Sequence, residues 1–119
     1  MFFQGLTVVV GATDKKEKFG YKIFKQLLEK GVELKGMHPK LKELEGKQVV
    51  QSLEEIKENI DTFVLIIAPE KSKPIIQEAL AKGVKKFWFQ PGAESEELQK
   101  MLFSYSDTEV STGSCILHI

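Results

Sequence analysis

Apolar runs of strand length alternate along this chain with segments of helical period, and no other feature limits its fold so tightly. The runs cover residues 6–10, 32–37, a short stretch containing Val49 and Val50, 62–68 and 84–90. After the first, Tyr21, Phe24, Leu27 and Leu28 recur at helical spacing until Gly31. Ile75, Ile76, Ala79 and Leu80 repeat the pattern, with Ser72 and Pro74 near the start and Gly83 at the end. Leu98, Met101 and Leu102 mark a third helix, opened by Ser95, Glu96 and Glu97, where the helix dipole favours acids. Ser52 and Glu55 have capping-box spacing and predict a short helix ending near Asn59. Strands separated by helices pair in parallel, because each helix carries the chain back across the sheet. Residues 62–68 are apolar almost throughout, as a central strand covered on both faces requires. A final short strand is expected within 108–119. The prediction is an α/β protein: one three-layer α/β/α Rossmann-like domain over residues 1–119 with a mainly parallel sheet.

Composition narrows the partners. Seventeen basic residues balance seventeen acids, so nothing in the overall charge favours nucleic acid. Every basic residue is a lysine, and an anion would therefore be held by point charges and main-chain amides without a guanidinium fork. Cys115 is the single cysteine, which rules out an intramolecular disulfide, suits a reducing cytoplasmic setting and reads as a small buried hydrophobe. The longest unbroken apolar run, residues 63–68, falls far short of the roughly 20 residues a membrane helix needs. A soluble, cytoplasmic protein without a membrane partner is expected, with enough aromatic surface to allow a homodimer.

In an open parallel sheet, ligands bind beyond the carboxyl ends of the strands, so the residues after each strand carry the functional reading. The first strand stops at Gly11, where a missing Cβ lets an anion approach the backbone. Ala12, Thr13, Lys15, Lys18 and Gly20 follow, and the Thr13 hydroxyl with the loop amides would hold a pyrophosphate. Gly11 and Gly20 alone do not complete the GxGxxG fingerprint. After the second strand come His38, Pro39 and Lys40, in the window where an NAD-binding domain places an acid about 20 residues beyond its glycines. A carboxylate would repel a ribose phosphate; His38 and Lys40 would attract one. Coenzyme A and NADP both carry such a phosphate and both remain open on this ground. Ala68 and Pro69 form a turn small enough for an adenine ring, and Gln90 and Gly92 lie where a ligand tail could pass. Phe87 and Phe89 share one strand face and Trp88 takes the other, as core residues would.

No catalytic constellation emerges. His38, His118 and Cys115 make no convincing metal set, no serine sits in a nucleophile elbow, and Glu94 reads as a helix-end charge.

Taken in order, VVGAT at 9–13, Lys18, HPK at 38–40, Asp61, APE at 68–70, WFQPG at 88–92 and Cys115 with Ile116 resemble the CoA-binding domain family. This is the small Rossmann-like domain also found at the start of the succinyl-CoA synthetase alpha subunit and of ADP-forming acyl-CoA synthetases. The chain departs from the family pattern at Thr13, usually serine, at Lys18, commonly arginine, and at His38, usually asparagine before the proline. The resemblance implies coenzyme A as ligand. Gly11, Ala12, Thr13 and Lys18 would lie at its pyrophosphate, His38 to Lys40 at the adenosine phosphate, and Ala68 and Pro69 along the adenine or pantetheine path. It also implies that chemistry in the synthetases needs further domains, so this chain is expected to be a stand-alone CoA or acyl-CoA binding protein without its own catalytic machinery. The alternatives are an NAD(P)-binding or sensing domain and a protein-interaction module with a vestigial nucleotide cleft.

Overall fold

The computed structural model describes residues 2–105, 107–113 and 115–118. Seven strands form one sheet in the order β3-β4-β2-β1-β5-β6-β7. They are β1 (Thr7–Val10), β2 (Leu34–Met37), β3 (Glu43–Leu44), β4 (Lys47–Val50), β5 (Thr62–Leu65), β6 (Lys86–Phe89) and β7 (Glu109–Ser111). All neighbours pair in parallel except β3 and β4. The helices are α1 (Phe19–Glu29), α2 (Pro69–Ala81) and α3 (Glu96–Phe103), with single helical turns at Leu53–Glu55 and Ile116–His118.

Burial explains the layers. Every residue of β1 and β5 is buried, and their alternating side chains feed two separate cores. Val8, Val10, Phe63 and Leu65 meet Ile76 and Ala79 of α2 and Leu98 and Leu102 of α3 on one face. Val9 and Val64 meet Ile23, Phe24 and Leu27 of α1 on the other. The expected split of β6 holds, with Phe87 and Phe89 in the first core and Trp88 in the second. There Trp88 packs edge-on to Phe2 at 5.4 Å and tilted against Phe3 at 5.6 Å between ring centroids. The three-layer α/β/α architecture with a mainly parallel sheet is the one expected.

Local boundaries differ in four places. The run 62–68 is a strand only to Leu65, and α2 starts at Pro69, one turn before Ser72 and Pro74. Proline suits the first helical position, where its missing N–H has no intrahelical partner, and Pro74 lies inside the helix. The helix expected up to Asn59 is a single turn: the Glu55 carboxylate accepts the Ser52 amide at 3.0 Å and the Gln51 amide at 2.9 Å, and the chain turns extended at Ile56. Ile56 is almost wholly buried, and its place in the core pulls the chain off the helical path. The third strand is one arm of an unanticipated hairpin, turning at Glu45 and Gly46 with positive φ at both. Lys25 and Tyr21 on α1 each bond the Glu45 carboxylate at 3.0 Å, fixing the hairpin to that helix. Finally, the tail forms β7 at 109–111 only; Ser114 and Ile119 of the expected tail strand lie outside the described residues.

At the amino ends of the strands, Asp61 closes the sheet. Its Oδ2 accepts from the Thr62 hydroxyl at 2.7 Å and the Gln4 amide at 3.2 Å, with Lys86 Nζ at 3.6 Å. Burial pushes the Asp61 carboxyl up, but these donors outweigh it and hold the group below the usual aspartate range. A carboxyl lowered in the folded state stabilises the fold above its unfolded pKa, and that contribution fades as pH falls through the folded value. Asp61→Asn is therefore expected to cost on the order of 1 kcal/mol at neutral pH. In denaturant melts, the gap between wild type and variant should close on acidification; a gap independent of pH would refute this.

Candidate functional site

The order of the sheet creates a gap. From β1 the chain leaves through α1 to β2, and from β5 it leaves through α2 to β6 on the opposite side. The two connections part above the carboxyl ends of β1 and β5, the position at which open α/β sheets bind ligands. A crevice of about 640 Å³ lies there, lined by Gly11, Thr13, Lys15, Lys18, Gly20, His38 and Lys71 among others. Gly11, His38, Pro39, Ile67 and Lys71 also line an adjoining hollow of about 370 Å³ that reaches Gln51 and Ile75. Phe19 and Ile66 join the crevice on its other side to one of about 310 Å³, bounded by Gln90, Pro91, Cys115 and Leu117.

Two glycines allow this arrangement. Gly11 ends β1 with φ of +105°, a conformation few other residues adopt. Gly20 lies in the first turn of α1, and a Cβ there would stand 2.1 Å from the Gly11 carbonyl oxygen. The helix therefore rests its backbone directly on the strand end, as the packing glycine of a dinucleotide-binding turn does.

The polar groups fall into spent and available donors. The Gly11 amide donates to the Met37 carbonyl at 3.1 Å, the Lys18 amide to the Lys15 carbonyl at 3.0 Å and the Lys15 amide to the Thr13 hydroxyl at 3.3 Å. The amides of Phe19 and Gly20 open α1 without an intrahelical acceptor. Lys18 occupies the cap position, where it makes no side-chain cap bond, and the first turn carries no acid. Positive potential at this helix end is thus uncompensated by its own sequence. Among the described residues, Lys15, Lys18 and Lys71 form no ion pair, whereas Lys25, Lys35, Lys73, Lys85, Lys86 and Lys100 all do. Among the described residues, Glu17 is the one acid on the crevice wall.

Eight of the thirteen residues singled out in the sequence line these connected hollows: Gly11, Thr13, Lys15, Lys18, Gly20, His38, Pro39 and Gln90. The other five do not. The Ala12 side chain is buried in the core over α1, and Lys40 is exposed beyond the turn. Ala68 caps α2 and Pro69 begins it, while Gly92 is exposed in the turn after β6. Gln90 is also a tether: its Oε1 accepts from Trp88 Nε1 at 3.1 Å and the Ile116 amide at 2.8 Å, and its Nε2 donates to Cys115 Sγ at 3.1 Å. Cys115 is only half-buried, at the crevice end and not in the core as expected. Sequence reasoning passed over Lys71, Ile66, Ile67 and Phe19. Pro69 as a first helical residue would have put Lys71 on α2 and freed both isoleucines from the strand.

Comparison with known proteins agrees with this geometry. The profile of the CoA binding domain family matches residues 6–118. Subunit alpha of the ADP-forming acetate–CoA ligase II of Pyrococcus furiosus is 30% identical over 78 residues, 65% of this chain and 17% of that protein. The matched segment thus spans under a fifth of that subunit. A solved structure of a conserved hypothetical protein from Pyrococcus furiosus has 35% identity and a TM-score of 0.88, covering 98% of this chain and 100% of its own. A dinucleotide-forming acetyl-coenzyme A synthetase from Ca. Korarchaeum cryptofilum, solved with phosphate and ADP, has the same fold, with a TM-score of 0.74 at 24% identity over 92% of this chain and 25% of its own.

Gly20→Ala should destabilise the protein by about 1–3 kcal/mol, the usual cost of overpacking. A denaturant midpoint equal to wild type would show that α1 does not rest on the Gly11 carbonyl.

Proposed function

The chain belongs to the CoA binding domain family, and we propose that it binds coenzyme A, free or acylated, in the crevice between β1 and β5, as a stand-alone binding domain without catalytic groups of its own. The observation that carries this reading is the set of unpaired lysines, Lys15, Lys18 and Lys71, around a glycine-floored backbone turn. Such a surface fits a polyphosphate chemically. The amides of Phe19 and Gly20 point positive charge from the helix end, and each lysine adds a mobile ammonium.

The elongated shape supports a ligand of matching form. A charged centre lies between a hollow lined by Met37, Pro39, Ile67 and Ile75 and another lined by Phe19, Ile66, Pro91 and Leu117. Coenzyme A supplies its diphosphate for the centre, an uncharged pantetheine arm for one end and, for the other, an adenine on a ribose that bears a further phosphate. In this assignment the chain's residues bind and orient; Ile66, Ile67 and Phe19 exclude water beside the diphosphate and so strengthen the lysine contacts. Any acyl transfer would need groups that these residues do not supply.

Calorimetric titration with CoA, acetyl-CoA, NAD and NADP tests the proposal. Saturable binding of CoA or acetyl-CoA is expected, with Lys18→Glu and Lys71→Glu each weakening it at least about tenfold, or about 1.4 kcal/mol. Preference for a nicotinamide dinucleotide, or no heat with any of the four, would overturn it.

A further inference from the structure

His38 occupies the junction of the crevice and the hollow beside Ile75. Its own amide donates to the Val50 carbonyl at 3.0 Å, anchoring it at the end of β2. Two further donors converge on its ring: the amides of Lys40 and Leu41 both lie 3.0 Å from Nδ1. A protonated ring nitrogen has no lone pair and accepts neither bond, so Nδ1 carries no proton. A neutral imidazole then holds its proton on Nε2. Gln51 secures the same turn independently, its Nε2 donating to the Leu41 carbonyl at 2.6 Å and its Oε1 accepting from Lys42 at 2.9 Å. Nε2 of His38 has no acceptor among the described residues.

We infer that His38 is a positioning residue of the crevice, a neutral ring that holds the 38–41 turn closed through Nδ1 and offers bound ligand a single uncharged donor, Nε2–H. This changes the chemistry expected of the position. His38 does not act as a cation for a phosphate; positive charge at the crevice comes from the lysines. The ring instead favours a ligand with an acceptor atom beside the diphosphate, and it fixes where the wall of the hollow stands. The ligand-facing half of this assignment rests on the coenzyme A reading above, whereas the turn-holding half does not.

The two halves are tested apart. In ¹⁵N-labelled protein without ligand, long-range proton–nitrogen correlation at neutral pH should give His38 an unprotonated Nδ1 and a proton on Nε2, and CoA should move the Nε2 resonance while Nδ1 stays unprotonated. A proton on Nδ1, or on both nitrogens, would overturn the assignment. His38→Asn supplies an amide oxygen to accept the turn and an amide donor beside it, and should bind CoA within about threefold of wild type. His38→Phe keeps an aromatic ring without either group and should bind at least about tenfold more weakly. Equal affinity for wild type, His38→Asn and His38→Phe would remove His38 from the site while leaving coenzyme A binding intact. A wild type that takes up no CoA would overturn the function and the ligand-facing half together, and the tautomer would still decide the turn.

Discussion

Two adjacent strands with no exposed residue, β1 and β5, dictate the rest of the molecule. Side chains on both faces of both strands need covering, and connections of a parallel sheet supply the cover as helices. Because α1 follows β1 onto one face and α2 follows β5 onto the other, the chain divides above the pair. The crevice is the space left by that division. Its position follows from burial, and the residues on its walls add the chemistry.

That chemistry depends on closeness and on unmatched charge. Gly20 lets α1 touch the Gly11 carbonyl, which brings the first helical amides to the edge of the sheet. Six lysines elsewhere pair with nearby carboxylates, whereas Lys15, Lys18 and Lys71 line the crevice without one among the described residues. A protein ordinarily scatters its surface charges with both signs interspersed; a local excess next to helix-end amides favours an anion. His38 beside them closes the neighbouring turn through its Nδ1.

Much of the architecture was legible because burial imposes period. The apolar run through Val8, Val9 and Val10, the helical spacing of Phe24 and Leu27, and the opposed faces of Phe87 and Trp88 are patterns that the sequence carries directly. Ile66 and Ile67 were illegible for the converse reason: apolar residues that line a ligand crevice look the same as apolar residues in a strand. The β3–β4 hairpin was missed because its turn is Glu45–Gly46, and a glutamate with φ of +51° carries no turn signal by itself. Its support comes from Tyr21 and Lys25, far away in sequence. The Gly11–Gly20 turn was legible as a strand-to-helix turn at the carboxyl end of the sheet, yet which amides were already bonded was not, because the Gly11 amide finds its acceptor on Met37 of another strand. The same holds for His38, whose Nδ1 meets two backbone amides that only the folded turn delivers.

The central claim is that the parting of α1 and α2 above β1 and β5 makes a polyphosphate site from backbone amides and lysines. Backbone amide correlation spectra of labelled protein, recorded during stepwise addition of CoA, test it most directly. The largest shifts should fall on Gly11 to Gly20, on His38 to Leu41 and on Ile66 to Lys71, with Phe19 and Gly20 moving downfield as they gain an acceptor. Shifts centred on the opposite end of the sheet near Asp61, or a spectrum unchanged at saturating CoA, would contradict it.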